Sequence, residues 1–188
     1  VQSLLTTFVA AFLAEWGDKT QLLVIMLAGR FQKPAAILAA VALAALANSA
    51  LAAFGGSLIH DYIVLRAISL FVALALIFAG VGALIRNKTP DMGSTWRTGA
   101  FLTTFGCFLL LEFGDKTQFL TVALSAQFDE PILAAAGAAV GITAANAPAA
   151  LLGPELAKAV PLRWIRVGIG ILFLLIGLIV AINARRLV

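Results

Sequence analysis

The sequence predicts an all-α membrane protein in which six transmembrane helices form two inverted-topology repeats of three helices each. Three observations predict it. Of the 188 residues, 62% are hydrophobic and only 12% charged, with a mean hydropathy of +1.06, which is too apolar for a soluble domain to cover its own surface. The apolar residues fall into six stretches, each near the roughly 20 residues that a helix needs to cross a hydrocarbon core. The second half of the chain also repeats the first at an offset of 97 residues, the separation of Glu15 from Glu112.

The first span is expected from Ser3 to Ala28; Val1 to Ala28 is too long and too acidic for a plain signal peptide. The second runs from Pro34 to Ile59, with Pro34 in the first turn, where a missing N–H breaks no hydrogen bond. The third runs from Leu65 to Ile85. The polar segment Asn87 to Ser94 then joins the halves. The fourth span covers Thr98 to Gln127, the fifth starts at Pro131 and ends at Leu152, and the sixth covers Leu162 to Asn183. The division is therefore residues 1–88, a linker at 89–97, and residues 98–188, packed as one integrated domain.

At the common offset Phe31 falls on Phe128, Pro34 on Pro131, Arg66 on Arg163 and Gly80 on Gly177; a slip of one residue aligns Asn48 with Asn146 and Gly55 with Gly153. Two copies of a three-helix unit follow. Because three is odd, the second copy crosses the bilayer in the opposite sense. Arg30, Lys33, Arg86, Lys88, Arg97, Lys158, Arg163 and Arg166 fall on one side, against Arg66, Arg185 and Arg186 on the other. That bias makes the first side cytoplasmic and puts both termini on the non-cytoplasmic side. The net charge of +4 therefore reflects topology, and nucleic acid is excluded as a partner.

Inside the first and fourth spans stands one phrase written twice, Glu15-Trp16-Gly17-Asp18-Lys19-Thr20-Gln21 and Glu112-Phe113-Gly114-Asp115-Lys116-Thr117-Gln118, identical at six of seven positions. A charge at the centre of a membrane helix costs roughly 2.5–3.5 kcal/mol on insertion scales, so ionisable groups there read as functional. On a continuous helix Glu15, Asp18 and Lys19 share a face, as do Glu112, Asp115 and Lys116. Each motif carries −1 when ionised, and the pair complements one divalent cation. Glu15, Asp18, Glu112 and Asp115 are the expected metal ligands, with Thr20, Gln21, Thr117 and Gln118 as neutral oxygens nearby. Such a set suits Mn²⁺, Ca²⁺ or Mg²⁺, whereas Zn²⁺ or Cu would recruit His and Cys, of which the chain has one each. Four crowded carboxylates cannot all stay ionised once the cation leaves, so metal and protons compete for the same oxygens. Lys19 and Lys116 pair with the neighbouring Asp, tune affinity, or stand in for the cation. Gly17 and Gly114 allow close backbone approach or local unwinding. Asn48 and Asn146, at matched depths, either line the site or bond between helices.

The remaining features read as structure. The glycines from Gly137 to Gly141 and from Gly168 to Gly177 suit close helix packing, while Trp16, Trp96 and Trp164 suit packing or the membrane interface. His60 reads as a solvated loop residue and Cys107 as a small core residue.

The doubled Glu-x-Gly-Asp-Lys-Thr-Gln phrase, each copy opening a three-helix repeat, resembles the signature of uncharacterised protein family 0016, also called the Gdt1 family. The resemblance covers essentially the whole chain and implies a cation exchanger related to the calcium/cation antiporters, moving Mn²⁺ or Ca²⁺ against H⁺. It also implies that Glu15, Asp18, Glu112 and Asp115 are the acidic site residues, with Lys19, Thr20, Gln21, Lys116, Thr117 and Gln118 beside them. The chain lacks the long amino-terminal extension of organellar members, which favours a bacterial inner membrane. The expectation is a secondary transporter, not an enzyme, that exchanges Mn²⁺ first and Ca²⁺ second for protons, as a manganese exporter. It needs no cofactor beyond its transported substrate. Expected partners are divalent cations, protons and the lipid bilayer, with a second copy of the chain as a further candidate. The alternatives are a passive cation channel and an intramembrane carboxylate hydrolase.

Overall fold

The computed structural model describes residues 1–85, 90 and 98–184. Among them are nine α-helices: α1 (Gln2–Glu15), α2 (Lys19–Phe31), α3 (Pro34–Tyr62), α4 (Leu65–Leu84), α5 (Ala100–Glu112), α6 (Lys116–Phe128), α7 (Pro131–Leu152), α8 (Pro154–Ala159) and α9 (Leu162–Ala184). The expected linker, apart from Pro90, together with Arg86, Lys88, Trp96, Arg97, Arg185 and Arg186, lies outside the described residues.

Four helices, α3, α4, α7 and α9, are by length and composition able to cross a membrane. The first and fourth expected spans are not continuous helices, which corrects the placing of each motif on one helix face and takes the local unwinding that Gly17 and Gly114 allow. Each is a pair of helices of 13 or 14 residues interrupted at the motif. The reason is local. Trp16 and Phe113 leave the helix in extended conformation (ψ 122° in both), and Gly17 and Gly114 follow at φ 71° and 74°. That left-handed region is open to glycine and unfavourable for residues with a Cβ.

The backbone repeats as the sequence does. Asp18 and Asp115 precede α2 and α6 with φ/ψ of −80°/169° and −82°/170°. Gln32 and Asp129 close those helices at φ 54° and 50°, and Pro34 and Pro131 open α3 and α7.

Small residues let main chains meet, as in membrane bundles generally. A Cβ on Gly141 of α7 would stand 2.5 Å from the Phe8 carbonyl oxygen of α1, and one on Gly137 would overlap Thr7 Oγ1 and the Leu4 carbonyl. Gly80 of α4 meets the Gly170 carbonyl of α9, and Gly56 of α3 lies on the Val122 carbonyl of α6. One apolar cluster joins α2, α3, α5 and α7 around Leu23, Ile37, Phe108 and Ile142; Cys107 is buried in it, as expected. A second joins α1, α4, α6 and α9 around Ala10, Leu76, Leu120 and Phe173. Leu175, Leu178 and Ile179 of α9 and Leu51, Phe54 and Leu58 of α3 face outward, a surface suited to lipid.

His60 corrects its loop assignment: α3 continues to Tyr62, and the His60 Nδ1–H donates to the Ala126 carbonyl at 2.7 Å. Its Nε2 stands 4.0 Å from Asp129 Oδ2, and Ser57 Oγ donates to Asp129 Oδ1 at 2.8 Å, so the ends of α3 and α6 are tied together.

These close approaches give a stability prediction. Gly137→Val should lower stability by about 1–3 kcal/mol, the usual range for overpacking, seen as a lower melting temperature in detergent. Gly55→Val, where among the described residues nothing beyond the adjacent helix backbone lies within 4 Å of the added Cβ, should change it little. Equal shifts would show that the α1–α7 contact is not tight.

Candidate functional site

Each motif is built around its helix break. Glu15 and Glu112 end α1 and α5, Asp18 and Asp115 sit at the N-caps of α2 and α6, and Lys, Thr and Gln fill the first turn that follows. The Gly17 N–H donates to Gln21 Oε1 at 2.8 Å, and the Gly114 N–H donates to Gln118 Oε1 at 2.6 Å. A glutamine reaching back from the third helical position is a variant of the capping box. The amide ends cross to the other half: Gln21 Nε2 donates to the Ala145 carbonyl at 2.8 Å, and Gln118 Nε2 to the Asn48 carbonyl at 3.5 Å. The glutamine oxygens, expected as neutral ligands, are thus engaged in holding the breaks.

The two motifs touch. Lys116 Nζ lies 2.6 Å from Asp18 Oδ2 and 3.7 Å from Asp115 Oδ2, while Lys19 Nζ lies 2.8 Å from Asp115 Oδ1. The short ion pairs are therefore crossed between motifs. Lys116 and Asp18 are buried, with side chains 6% and 4% exposed, whereas Lys19 is 32% exposed.

Identical residues have different partners in the two motifs. Glu15 accepts from Thr20 Oγ1 at 2.6 Å, Thr117 Oγ1 at 2.9 Å and Asn146 Nδ2 at 3.3 Å. Glu112 is equally buried, yet neither of its carboxyl oxygens has a hydrogen-bond partner among the described residues. Asn48 donates instead to the Leu109 carbonyl at 3.1 Å. Asn146 Oδ1 is a further buried acceptor without a donor among the described residues.

Access differs as well. A Cβ on Gly17 would stand 2.6 Å from the Leu162 carbonyl and 3.0 Å from Arg166 Cβ, so α9 covers the first break. Among the described residues Gly114 has no such neighbour within 4 Å, and a cleft of about 250 Å³ lined by Leu51, Phe113, Gly114, Asp115, Gln118 and Val122 reaches the second.

The sequence compares with known proteins as this site would suggest. The family model "Divalent cation/proton antiporter GDT1" matches residues 3–91 and 100–187, which is nearly all of the chain. The chain belongs to this family. It is a transporter and not an enzyme, and its apolar helices make it a multi-pass membrane protein. A curated relative from Vibrio cholerae serotype O1, described as a "Putative manganese exporter", is 39% identical over 170 residues, covering 90% of this chain and 85% of the relative. No solved structure matches.

For a member of the GDT1 family, the arrangement supplies buried oxygens in a charge-rich pocket. The four carboxylates do not form one ready shell. Among the described residues, no three His, Cys, Asp or Glu side chains converge closely enough to hold one metal ion. Like charges repel, and ammonium groups between the carboxylates relieve that repulsion. Sequence reasoning also misplaced Arg166, counted among the connections. It lies within α9, 7% exposed, with Nε and Nη1 lacking hydrogen-bond partners among the described residues. Its signal was available, since an arginine inside an apolar stretch has only Ser69 at the matching position of the first half.

Proposed function

We propose that this antiporter exchanges Mn²⁺ first and Ca²⁺ second for protons, as a manganese exporter of the bacterial inner membrane. The observation that carries the reading is the contact between the two motifs, which sets Asp18 and Asp115 on the Lys116 ammonium and Glu15 on the Thr117 hydroxyl, with Glu112 in electrostatic reach. Glu15, Asp18, Glu112 and Asp115 supply the hard, anionic oxygens that Mn²⁺ and Ca²⁺ accept. Asn146 Oδ1 is a neutral oxygen beside them. Thr20 and Thr117 orient Glu15, and Gln21 and Gln118 brace the breaks.

Each carboxylate can hold part of the cation's charge or a proton, so loading one expels the other. On this reading α1–α2 and α5–α6 are each one broken span, which completes six spans in two inverted repeats with both termini on the non-cytoplasmic side. Broken helices that meet at the midplane are a common way for transporters to build an ion site. The cover of α9 over one break and the cleft at the other favour access from one side at a time, which a passive channel does not require.

The test is Mn²⁺ and Ca²⁺ flux in proteoliposomes under an imposed pH gradient. Flux driven by the gradient, with protons moving in the opposite direction and Mn²⁺ preferred, is the expected result. Flux indifferent to the gradient would establish a channel instead.

A further inference from the structure

We infer that Lys116 is a specificity-determining residue: its ammonium is a tethered cation that divalent ions displace and monovalent ions do not. The inference rests on the antiport reading of the site. Four carboxylates and two lysines leave a formal charge of −2 at the paired motifs. Lys116 is the buried member of the two lysines and the one that bridges both motifs, at 2.6 Å from Asp18 Oδ2 and 3.7 Å from Asp115 Oδ2. Its ammonium also interacts electrostatically with Glu15 and Glu112. The aliphatic stem passes α4 at Gly82, whose added Cβ would stand 3.6 Å from Lys116 Cδ. A longer side chain at Gly82 would enter the path that the stem occupies.

Any cation that binds Asp18 and Asp115 together must move this ammonium aside. Coulomb attraction scales with the product of the charges. A monovalent ion replacing the ammonium therefore gains no charge against the carboxylates, and it must shed water to enter a buried site. A divalent ion doubles the attraction to every carboxylate in reach. Because the ammonium is tethered, its local concentration stays fixed and does not fall with dilution, so it competes continuously with the monovalent ions of the medium. Lys19 is more exposed and pairs with Asp115 alone at short distance, which makes it the lesser competitor.

The experiment is Mn²⁺ binding to the purified full chain in detergent, read by Mn²⁺ electron paramagnetic resonance. Sodium is compared with choline at matched ionic strength of about 150 mM, which holds screening constant. In the wild type and in Lys116→Arg, replacing choline by sodium should change apparent Mn²⁺ affinity less than about twofold. In Lys116→Met, sodium should weaken it about tenfold or more, the factor expected when a competitor gains about 1.4 kcal/mol. Lys116→Gln, whose amide can still bond Asp18 without charge, should behave as Lys116→Met and serves if the latter does not fold. A lysine with a purely structural role would lower affinity equally in sodium and choline, and that result would overturn the inference. So would a neutral variant as indifferent to sodium as the wild type. A wild type that binds and moves no divalent cation would overturn the antiport reading as well.

Discussion

Glu112→Gln should abolish proton-driven cation flux while leaving the melting temperature unchanged or higher; Glu15→Gln should abolish flux and lower it. Both remove one of four proposed carboxylate ligands. The loss of a buried charged partner is worth about 3 kcal/mol or more, or about a hundredfold in affinity or rate. The stability effects separate because the surroundings differ. Glu15 accepts hydrogen bonds on both oxygens, from Thr20, Thr117 and Asn146. A glutamine there turns an NH₂ towards at least one donor, and an unmatched buried polar group costs about 1–3 kcal/mol. Glu112 has no hydrogen-bond donor to lose among the described residues, and replacing it removes a buried carboxyl flanked by other acids. Flux in proteoliposomes and thermal unfolding in detergent check the two halves of the prediction. Equal destabilisation by both variants would contradict the asymmetry between the motifs, and surviving flux would remove the altered carboxylate from the site.

That asymmetry marks the boundary of what the sequence could reveal. The doubled phrase is legible because carboxylates and lysines inside apolar stretches have few structural reasons to be there. The pairing of halves is legible because matching prolines and glycines recur at an offset of 97 residues, with the asparagines one residue beyond it. The helix break was legible in principle: Gly17 followed by Asp18, with Gln21 three residues later, is the pattern of a helix start. The spacing of Glu15, Asp18 and Lys19 concealed it, because the same residues also fit one face of a continuous helix. The crossed ion pairs and the engaged glutamine oxygens were not legible, since both depend on how one half lies against the other. Nor can nearly identical motifs disclose that, among the described residues, one glutamate has three donors and its counterpart none. Arg166 and Leu162, which cover Gly17, have Ser69 and Leu65 as their counterparts in the first half, and no comparable contact from a described residue reaches Gly114.

The two motif glycines offer the second large effect, because they share a conformation and differ in surroundings. Gly17 and Gly114 have φ of 71° and 74°, so alanine at either pays the left-handed strain of about 1–2 kcal/mol. Only Gly17 adds a collision, its new Cβ standing 2.6 Å from the Leu162 carbonyl oxygen. That atom belongs to backbone and cannot rotate away, so α9 must shift, at a further 1–3 kcal/mol or so. Gly17→Ala should therefore melt well below Gly114→Ala in detergent. Its transport should fall more as well, because displacing α9 uncovers the break beside Asp18 and weakens the separation between the two sides. Equal losses in stability would mean that backbone conformation alone sets the demand for glycine, and that α9 rests too loosely on the first motif to seal it. A larger loss at Gly114 would mean that the second break is the more tightly covered of the two.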